Sequence, residues 1–123
     1  MASRTLTITQ RADWEAAMLQ AAQIDPDGGY QGEILNFEST ARLFKDLTER
    51  RWRLITALQE AGRTLGLREL ARRVGRDASR VSADVAVLVE LGLVERTERG
   101  GVICPYDDIH LDIHARRMRH QAA

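Results

Sequence analysis

Arginine and serine residues gather just ahead of an apolar, periodic segment in the middle of the chain. The stretch from Arg76 to Ala83 reads RDASRVSA, and Val81, Val85 and Leu88 then follow one another at helical spacing. A guanidinium group can donate two parallel hydrogen bonds to a phosphate or to the edge of guanine, and serine hydroxyls can meet bases or phosphates. These residue types predict contacts with nucleic acid, and the N-terminus of a helix itself favours phosphate.

Three predicted helices surround this stretch, each with apolar residues three or four positions apart and capping residues at its ends. Their predicted bounds are Thr48 to Gly62, Leu67 to Val74 followed by Gly75, and Asp77 or Ala78 to Leu91 followed by Gly92. The small side chain of Ala71 allows the second and third helices to cross closely, and Gly75 allows the chain to reverse between them. This pattern is typical of a helix-turn-helix, with residues 76–83 at the exposed start of its second helix.

The remaining patterns predict short strands, two further helices and a tail. A hairpin is expected from Leu93 to Thr97 and from Val102 to Pro105, around the turn ERGG at 98–101. Three more strand patterns, two helical patterns and one clear breaker complete the chain. The strands are expected at 4–9, 32–37 and 109–113, the helices at 10–24 and after Ser39, and the breaker is DPDGG at 25–29. The predicted fold class is therefore α+β and mostly helical, a winged helix-turn-helix with a short N-terminal strand and helix arm and a C-terminal strand. We expect residues 1–38 to form the arm, for dimerisation or partner binding, 39–106 the DNA-binding domain, and 107–123 a C-terminal strand and flexible tail.

The net charge of zero hides an uneven distribution along the chain. Residues 1–40 carry two basic and six acidic side chains, whereas residues 41–99 carry 13 basic and nine acidic ones. An acidic first third joined to a basic middle favours a nucleic-acid surface together with a second interaction, although scattered surface charge gives the same counts. Lys45 is the one lysine among 18 basic residues, and arginine suits bidentate contacts with phosphate and guanine.

Three segments of the helix-turn-helix region resemble a known family. These are LRELARRVG at 67–75, VSADVAVL at 81–88 and ELGLVER at 90–96, and they are similar to the winged helix-turn-helix of MarR/ArsR-like prokaryotic transcription regulators. The later PYDDI at 105–109 resembles a tail in one small group of such regulators, whose members lie beside toxin genes and act as antitoxins. In one position the chain departs from this pattern, because Gly66 stands where such regulators often carry a serine or threonine cap.

The resemblance implies a sequence-specific DNA-binding transcriptional repressor, acting as the autoregulating antitoxin of a toxin–antitoxin pair. Its partners would be double-stranded operator DNA, a second copy of the chain in a homodimer, and a cognate toxin bound by the arm. The alternative is a regulator that responds to an effector or a metal and has no toxin partner. No catalytic motif and no cofactor-binding motif is present, so we expect no enzyme activity and no cofactor.

Eight residues are the predicted DNA contacts: Arg76, Ser79, Arg80, Ser82 and Ala83 at the start of the recognition helix, Arg96 and Arg99 in the wing, and Arg68 in the preceding helix. The competing interpretation is a solvated surface, on which Arg80 pairs with Asp84 four residues later and Glu69 pairs with Arg72 or Arg73. We interpret Asp84 as the residue that orients Arg80. For Arg96 and Arg99, contact with the DNA backbone and simple turn solubility are left as equal alternatives.

His110, Asp112 and His114 share one face of the last predicted strand, near Cys104, and they form a secondary candidate for a metal site. The polar face of a half-buried strand explains them without a metal, and the single cysteine rules out a CxxC ligand pair and an internal disulfide. The sequence has no long apolar segment of a membrane span or a secretory signal, so we expect a cytoplasmic protein.

Overall fold

The computed structural model describes residues 4–15 and 32–115, which form an α+β fold. The elements of this part of the chain are β1 (Thr5–Gln10), β2 (Glu33–Phe37), α1 (Thr40–Asp46), α2 (Glu49–Ala61), α3 (Leu67–Val74), α4 (Ala78–Leu91), β3 (Glu95–Arg96), β4 (Val102–Ile103) and β5 (Asp108–Asp112). The predicted helix at 10–24 is described only in its first part, where residues 14 and 15 are helical, and the breaker at 25–29 lies outside the described residues. No helix of the described segments is long and apolar enough to cross a membrane.

The helices begin and end at the capping residues that the sequence predicts. Ser39 Oγ accepts a hydrogen bond from the amide of Arg42 at the start of α1, and Thr48 Oγ1 accepts one from Arg51 at the start of α2. Gly62, Gly75 and Gly92 end α2, α3 and α4 in the left-handed conformation, which costs glycine no steric strain. Gly66 precedes α3 without any side-chain cap, as glycine must.

Helices α2, α3 and α4 pack on one another and on a small antiparallel ribbon. Strands β3 and β4 pair through Glu95 with Ile103 and through Arg96 with Val102. Leu65, just before α3, forms an antiparallel bridge with Val102 of β4. Its amide and carbonyl hydrogen-bond to the carbonyl and amide of Val102 at 2.9 and 2.8 Å. The predicted hairpin is confirmed, but its paired part is shorter than 93–97 and 102–105.

The other sheet joins the two ends of the described chain. Strand β1 lies in the centre and pairs in parallel with β2 on one side and with β5 on the other. Both hydrogen-bonding edges of β1 are therefore used within the chain. Among the described strands of this sheet, the outer edges of β2 and β5 are the ones that have no strand partner.

The PYDDI segment belongs to this junction rather than to a free tail. The ring of Tyr106 is buried, and the guanidinium carbon of Arg4 lies 5.0 Å from its centroid, which is cation–π distance. The same guanidinium pairs with Glu33 of β2 at 2.6 Å and reaches Glu95 of β3 at 3.5 Å. Burial of Tyr106 beside the Glu33 carboxylate raises the pKa of its phenol. Arg4 thus ties the parallel sheet to the β3–β4 ribbon.

A single hydrophobic core runs through the described residues and fixes the orientation of α4. Val81, Val85 and Leu88 are fully buried, as their spacing predicts, and they lie in the same cluster as Leu54 and Leu70. The rest of that cluster includes, among others, Leu6, Ile8, Phe37, Leu43, Ile55, Leu58, Leu65, Leu93 and Val102. Because this apolar stripe faces inward, the opposite side of α4 faces outward, together with the residues that begin the helix.

Candidate nucleic-acid interface

The first turn of α4 is capped by a carboxylate. Asp77 accepts hydrogen bonds from both the amide and the hydroxyl of Ser79. The hydroxyl of Ser79 holds the pKa of Asp77 below its usual range, so this group is charged at neutral pH. An anion that approaches the N-terminus of α4 therefore meets a negative charge, which opposes the attraction expected between this terminus and phosphate. The Ser79 hydroxyl is also already engaged.

The outward side of α4 carries small and basic residues. Ser79, Arg80 and Ala83 are exposed, Ala86 continues the same side one turn later, and Ser82 is half-buried. Among the described residues, Arg80 has no carboxylate within ion-pair distance. Alanine side chains let another surface approach the helix axis closely. The exposed guanidinium of Arg80 beside them can donate hydrogen bonds to that surface. In the described residues, this side of α4 therefore presents short side chains and an exposed guanidinium to any partner that lies against it.

Arg76 and Asp84 form a half-buried ion pair on the flank of α4. Arg76 Nη2 donates to Asp84 Oδ2 at 2.7 Å, and Arg51 Nε donates to the other carboxylate oxygen at 3.1 Å. The three side chains keep only 17–19% of their exposure. Burial alone would raise the pKa of Asp84, but the hydrogen bonds from Arg76 and Arg51 outweigh it and hold the pKa below its usual range.

The partners of Asp84 correct the interpretation that it orients Arg80. The i to i+4 spacing on one helix makes that pair possible, but Asp84 instead binds a residue before α4 and a residue of α2. Arg51 further donates to the backbone carbonyl of Asp46 at 2.7 Å. One carboxylate therefore connects the turn between α3 and α4, the start of α2 and, through Arg51, the end of α1.

Three concavities open side by side around the start of α4, and Arg76 lines all of them. One contains Arg68 and Arg72 of α3, and the other two contain Arg50 and Arg80. We call the surface formed by these five arginines the arginine band; its members are Arg50, Arg68, Arg72, Arg76 and Arg80. In the part of the chain that the structure describes, Arg76 alone of the five has a carboxylate partner.

Sequence reasoning missed Arg50. It lies 26 residues before Arg76 and belongs to a different helix, so no local spacing connects it to α4. The sequence did contain one signal: the predicted cap at Thr48 places Arg50 in the first turn of α2. A cation in the first turn is unfavourable for the helix dipole, and such a residue invites a search for another role.

The remaining predicted contacts are one further member of the band and two arginines of the β3–β4 ribbon. Arg68 is exposed on α3, and Arg96 and Arg99 are exposed on the ribbon, none of them with a carboxylate partner in the described segments. The turn between β3 and β4 is held by the amide of Thr97, which donates to the carbonyl of Gly101 at 2.9 Å. The local pairing predicted for Glu69 is confirmed for Arg73 at 3.3 Å, and Arg63 joins it at 3.0 Å.

The histidines of β5 do not gather into a metal site. His110 and Asp112 share the face of β5 that continues past Thr7 and Thr9 of β1, and His114 Nε2 lies 3.3 Å from Asp112 Oδ1. Within residues 4–15 and 32–115, no three His, Cys, Asp or Glu side chains are placed to hold one ion. Cys104 is buried, and this burial raises the pKa of its thiol.

A family model, HVO_A0114, matches residues 46–111, which is more than half of the chain. The chain belongs to the HVO_A0114 family. The matched span begins at the end of α1 and includes all of α2, α3, α4, β3 and β4 and most of β5, so the whole arginine band lies inside it. The function of this family is unknown. No curated protein and no solved structure matches the chain.

Proposed function

We propose that this member of the HVO_A0114 family is a sequence-specific DNA-binding transcriptional repressor with a winged helix-turn-helix. The order of elements supports it: two helices, α3 and α4, joined by a short glycine turn, followed by a two-stranded ribbon that serves as the wing. The observation that carries the proposal is the arginine band. Four of its five guanidinium groups lack a carboxylate partner among the described residues, and they surround the outward start of the helix that would read DNA.

The proposed mechanism assigns α4 to the major groove. In a helix-turn-helix the first residues of the second helix face the base edges, and here these are Ser79, Arg80 and Ala83. Arg80 can donate two hydrogen bonds to guanine, and the Ala83 methyl can contact the methyl group of thymine. Arg68 on α3 is placed to contact phosphate, and the wing residues Arg96 and Arg99 extend the same contact to the adjacent backbone.

A homodimer would supply the specificity that so few base-reading side chains cannot. Two copies of α4 would read two half-sites about 34 Å apart, one turn of B-DNA. A dimer bound across its own promoter blocks transcription without any further activity. This is the autoregulation expected of an antitoxin.

The antitoxin role rests on two features, the acidic first 40 residues and the resemblance of the PYDDI segment. The acidic segment suits a basic toxin, because opposite charges speed and orient association. Co-purification with the product of the neighbouring gene tests this role, and a toxin that is still neutralised after deletion of residues 1–40 would exclude the arm as its binding site. The alternative is a regulator that responds to an effector or a metal and has no toxin partner; in the described segments, no three His, Cys, Asp or Glu side chains are placed to hold a metal ion.

Binding to the DNA that precedes the chain's own gene, measured over a salt series, tests the proposed function. We expect binding that prefers this DNA over a random duplex and that weakens steeply with salt, because several phosphates are neutralised by arginine. Arg80→Ala should weaken the preference. Lys45→Ala is the matched control, since it removes an exposed cation of α1 that lines none of the three concavities. Salt-independent or absent binding by the wild-type chain would refute the proposal.

A further inference from the structure

The arginines at the start of α4 differ in how far their charge is already neutralised. Arg76 is bound to Asp84 at 2.7 Å and keeps 18% of its side-chain exposure. Arg50 and Arg80 are exposed, line two concavities together, and have no carboxylate partner in residues 4–15 and 32–115. The carboxylate nearest to Arg50 in sequence, Glu49, is paired with Arg53 at 2.7 Å. Two cations from two helices, neither of them in an ion pair within the described residues, therefore lie at one edge of the arginine band, and Asp77 lines one of their two concavities.

Arg76 is poorly placed to bind a phosphate. Its Nη2 is bound to Asp84, and its Nη1 is buried without a hydrogen-bond partner in the described part of the chain. A phosphate could reach these atoms only after the side chain had left Asp84. That step would leave the carboxylate with Arg51 alone and would remove the link between α4 and the α3–α4 turn.

We propose that Arg50 of α2 supplies a phosphate contact at this edge of the DNA surface, beside the base-reading Arg80 of α4, and that Arg76 is a positioning residue. Through Asp84 and Arg51, Arg76 fixes the start of α4 against α2 and so sets where Arg80 and Arg50 lie relative to each other. This inference rests on the proposed DNA-binding function. It adds a contact residue outside the helix-turn-helix, and it removes Arg76 from the contacts predicted from sequence.

The start of α2 has a neutral cap, whereas the cap of α4 is charged. The hydroxyl of Thr48 accepts from the amide of Arg51 at 3.4 Å, and Glu49 in the same turn is paired with Arg53, whereas Asp77 places a carboxylate at the start of α4. The positive end of the α2 dipole thus adds to the charges of Arg50 and Arg80. A DNA backbone that runs beside α4 can contact the N-terminus of α2, Arg50 and Arg80.

Salt dependence separates a phosphate contact from a positioning residue. Each neutralised phosphate adds about 0.9 to the slope of log affinity against log salt, so loss of one contact also changes that slope. Between about 50 and about 200 mM salt, a fourfold range, the affinity advantage of the wild type over a variant that lacks one contact shrinks by about 3.5-fold. A variant that only misplaces α4 weakens binding by the same factor at every salt concentration.

The experiment measures binding of Arg50→Ala, Arg80→Ala, Arg76→Ala and Asp84→Asn to two probes, the duplex that precedes the chain's own gene and a random-sequence duplex of equal length. We expect Arg50→Ala to lower the salt slope by about 0.9 on both probes, and Arg80→Ala to reduce the preference for the first probe. Arg76→Ala should leave the slope unchanged and, like Asp84→Asn, should reduce the preference for the first probe, because Arg80 loses its fixed position at the start of α4. Lys45→Ala should change neither slope nor preference. Thermal unfolding of each variant identifies those that are folded at the temperature of the measurement.

The outcomes separate this inference from the proposed function. A wild-type chain that binds neither probe in a salt-dependent way overturns both. A wild-type chain that binds, together with an unchanged slope for Arg50→Ala, overturns the inference alone. The same holds if the slope of Arg76→Ala falls as far as that of Arg50→Ala. Should Arg76→Ala fail to fold, an unchanged preference in Asp84→Asn, which keeps an oxygen acceptor, is sufficient to overturn the positioning role.

Discussion

Replacement of Asp84 by alanine tests the ion-pair network on which the geometry of α4 depends. The substitution leaves the guanidinium groups of Arg76 and Arg51, which keep 18% and 19% of their exposure, without their carboxylate. Removal of one partner from a fully buried pair costs about 3–5 kcal/mol, whereas an exposed pair contributes about 0–1 kcal/mol. Because these side chains keep nearly a fifth of their exposure and can turn toward water, we expect the free energy of unfolding to fall by about 2 kcal/mol.

Urea unfolding monitored by circular dichroism measures this loss of free energy. In thermal unfolding, the same loss should appear as a decrease of about 8 °C in Tm for a chain of this size. The matched control is Glu90→Ala, an exposed acidic residue of the same helix, for which a change within about 0.5 kcal/mol is expected.

The pH dependence of the unfolding free energy gives a second check. The pKa of Asp84 is lowered in the folded state, so its contribution is complete above about pH 4 and is lost as the pH falls further toward the folded value. Unfolding free energies of Asp84→Ala and wild type that agree at neutral pH would refute the reasoning.

Three further predictions concern stability and reactivity. A Cβ on Gly101 would collide with the side chain of Thr64, so Gly101→Ala should lower the unfolding free energy by about 1–3 kcal/mol, and an unchanged urea midpoint would argue against this close approach. Gly66 has extended backbone angles and open space around it, so Gly66→Ser should add the missing cap of α3 and raise the unfolding free energy by a few tenths of a kcal/mol; a lower midpoint would contradict this. Cys104 is buried and its pKa is raised, so Ellman's reagent at mildly alkaline pH should label the thiol only after urea is added, and rapid labelling of the folded chain would show that the site is open.

Local signals predicted the helices well. The bounds of α3 are those expected from the sequence, and Asp77 is the cap of α4, because a capping residue and a following glycine define both ends of a helix within a few residues. The face of α2 was predicted less completely. Helical spacing predicts Trp52, Ile55 and Leu58 on its inner face. Leu54 is also fully buried beside Ile55 and Leu58, because α2 packs against more than one element and buries a wider stripe than a surface helix does.

The parts that the sequence did not predict depend on contacts between distant residues. Strand β5 pairs with β1 in a register that places Ile109 beside Leu6, and no local pattern specifies a pairing over more than 100 residues. The partner of Asp84 was misjudged for a related reason. Helical spacing favours Arg80, but the packing of α2 brings Arg51, 33 residues away, to the same carboxylate. Arg50 joins the arginine band through that same packing.

Comparison of Arg80→Ala with Lys45→Ala on the DNA that precedes the chain's own gene tests the central claim most directly. Both changes remove one exposed cation, but only Arg80 lies at the start of α4. If α4 reads DNA, Arg80→Ala should weaken binding to this DNA by about 1–3 kcal/mol relative to a random duplex, while Lys45→Ala binds both as the wild type does. Equal binding by the two variants, with the same preference as the wild type, would contradict the account.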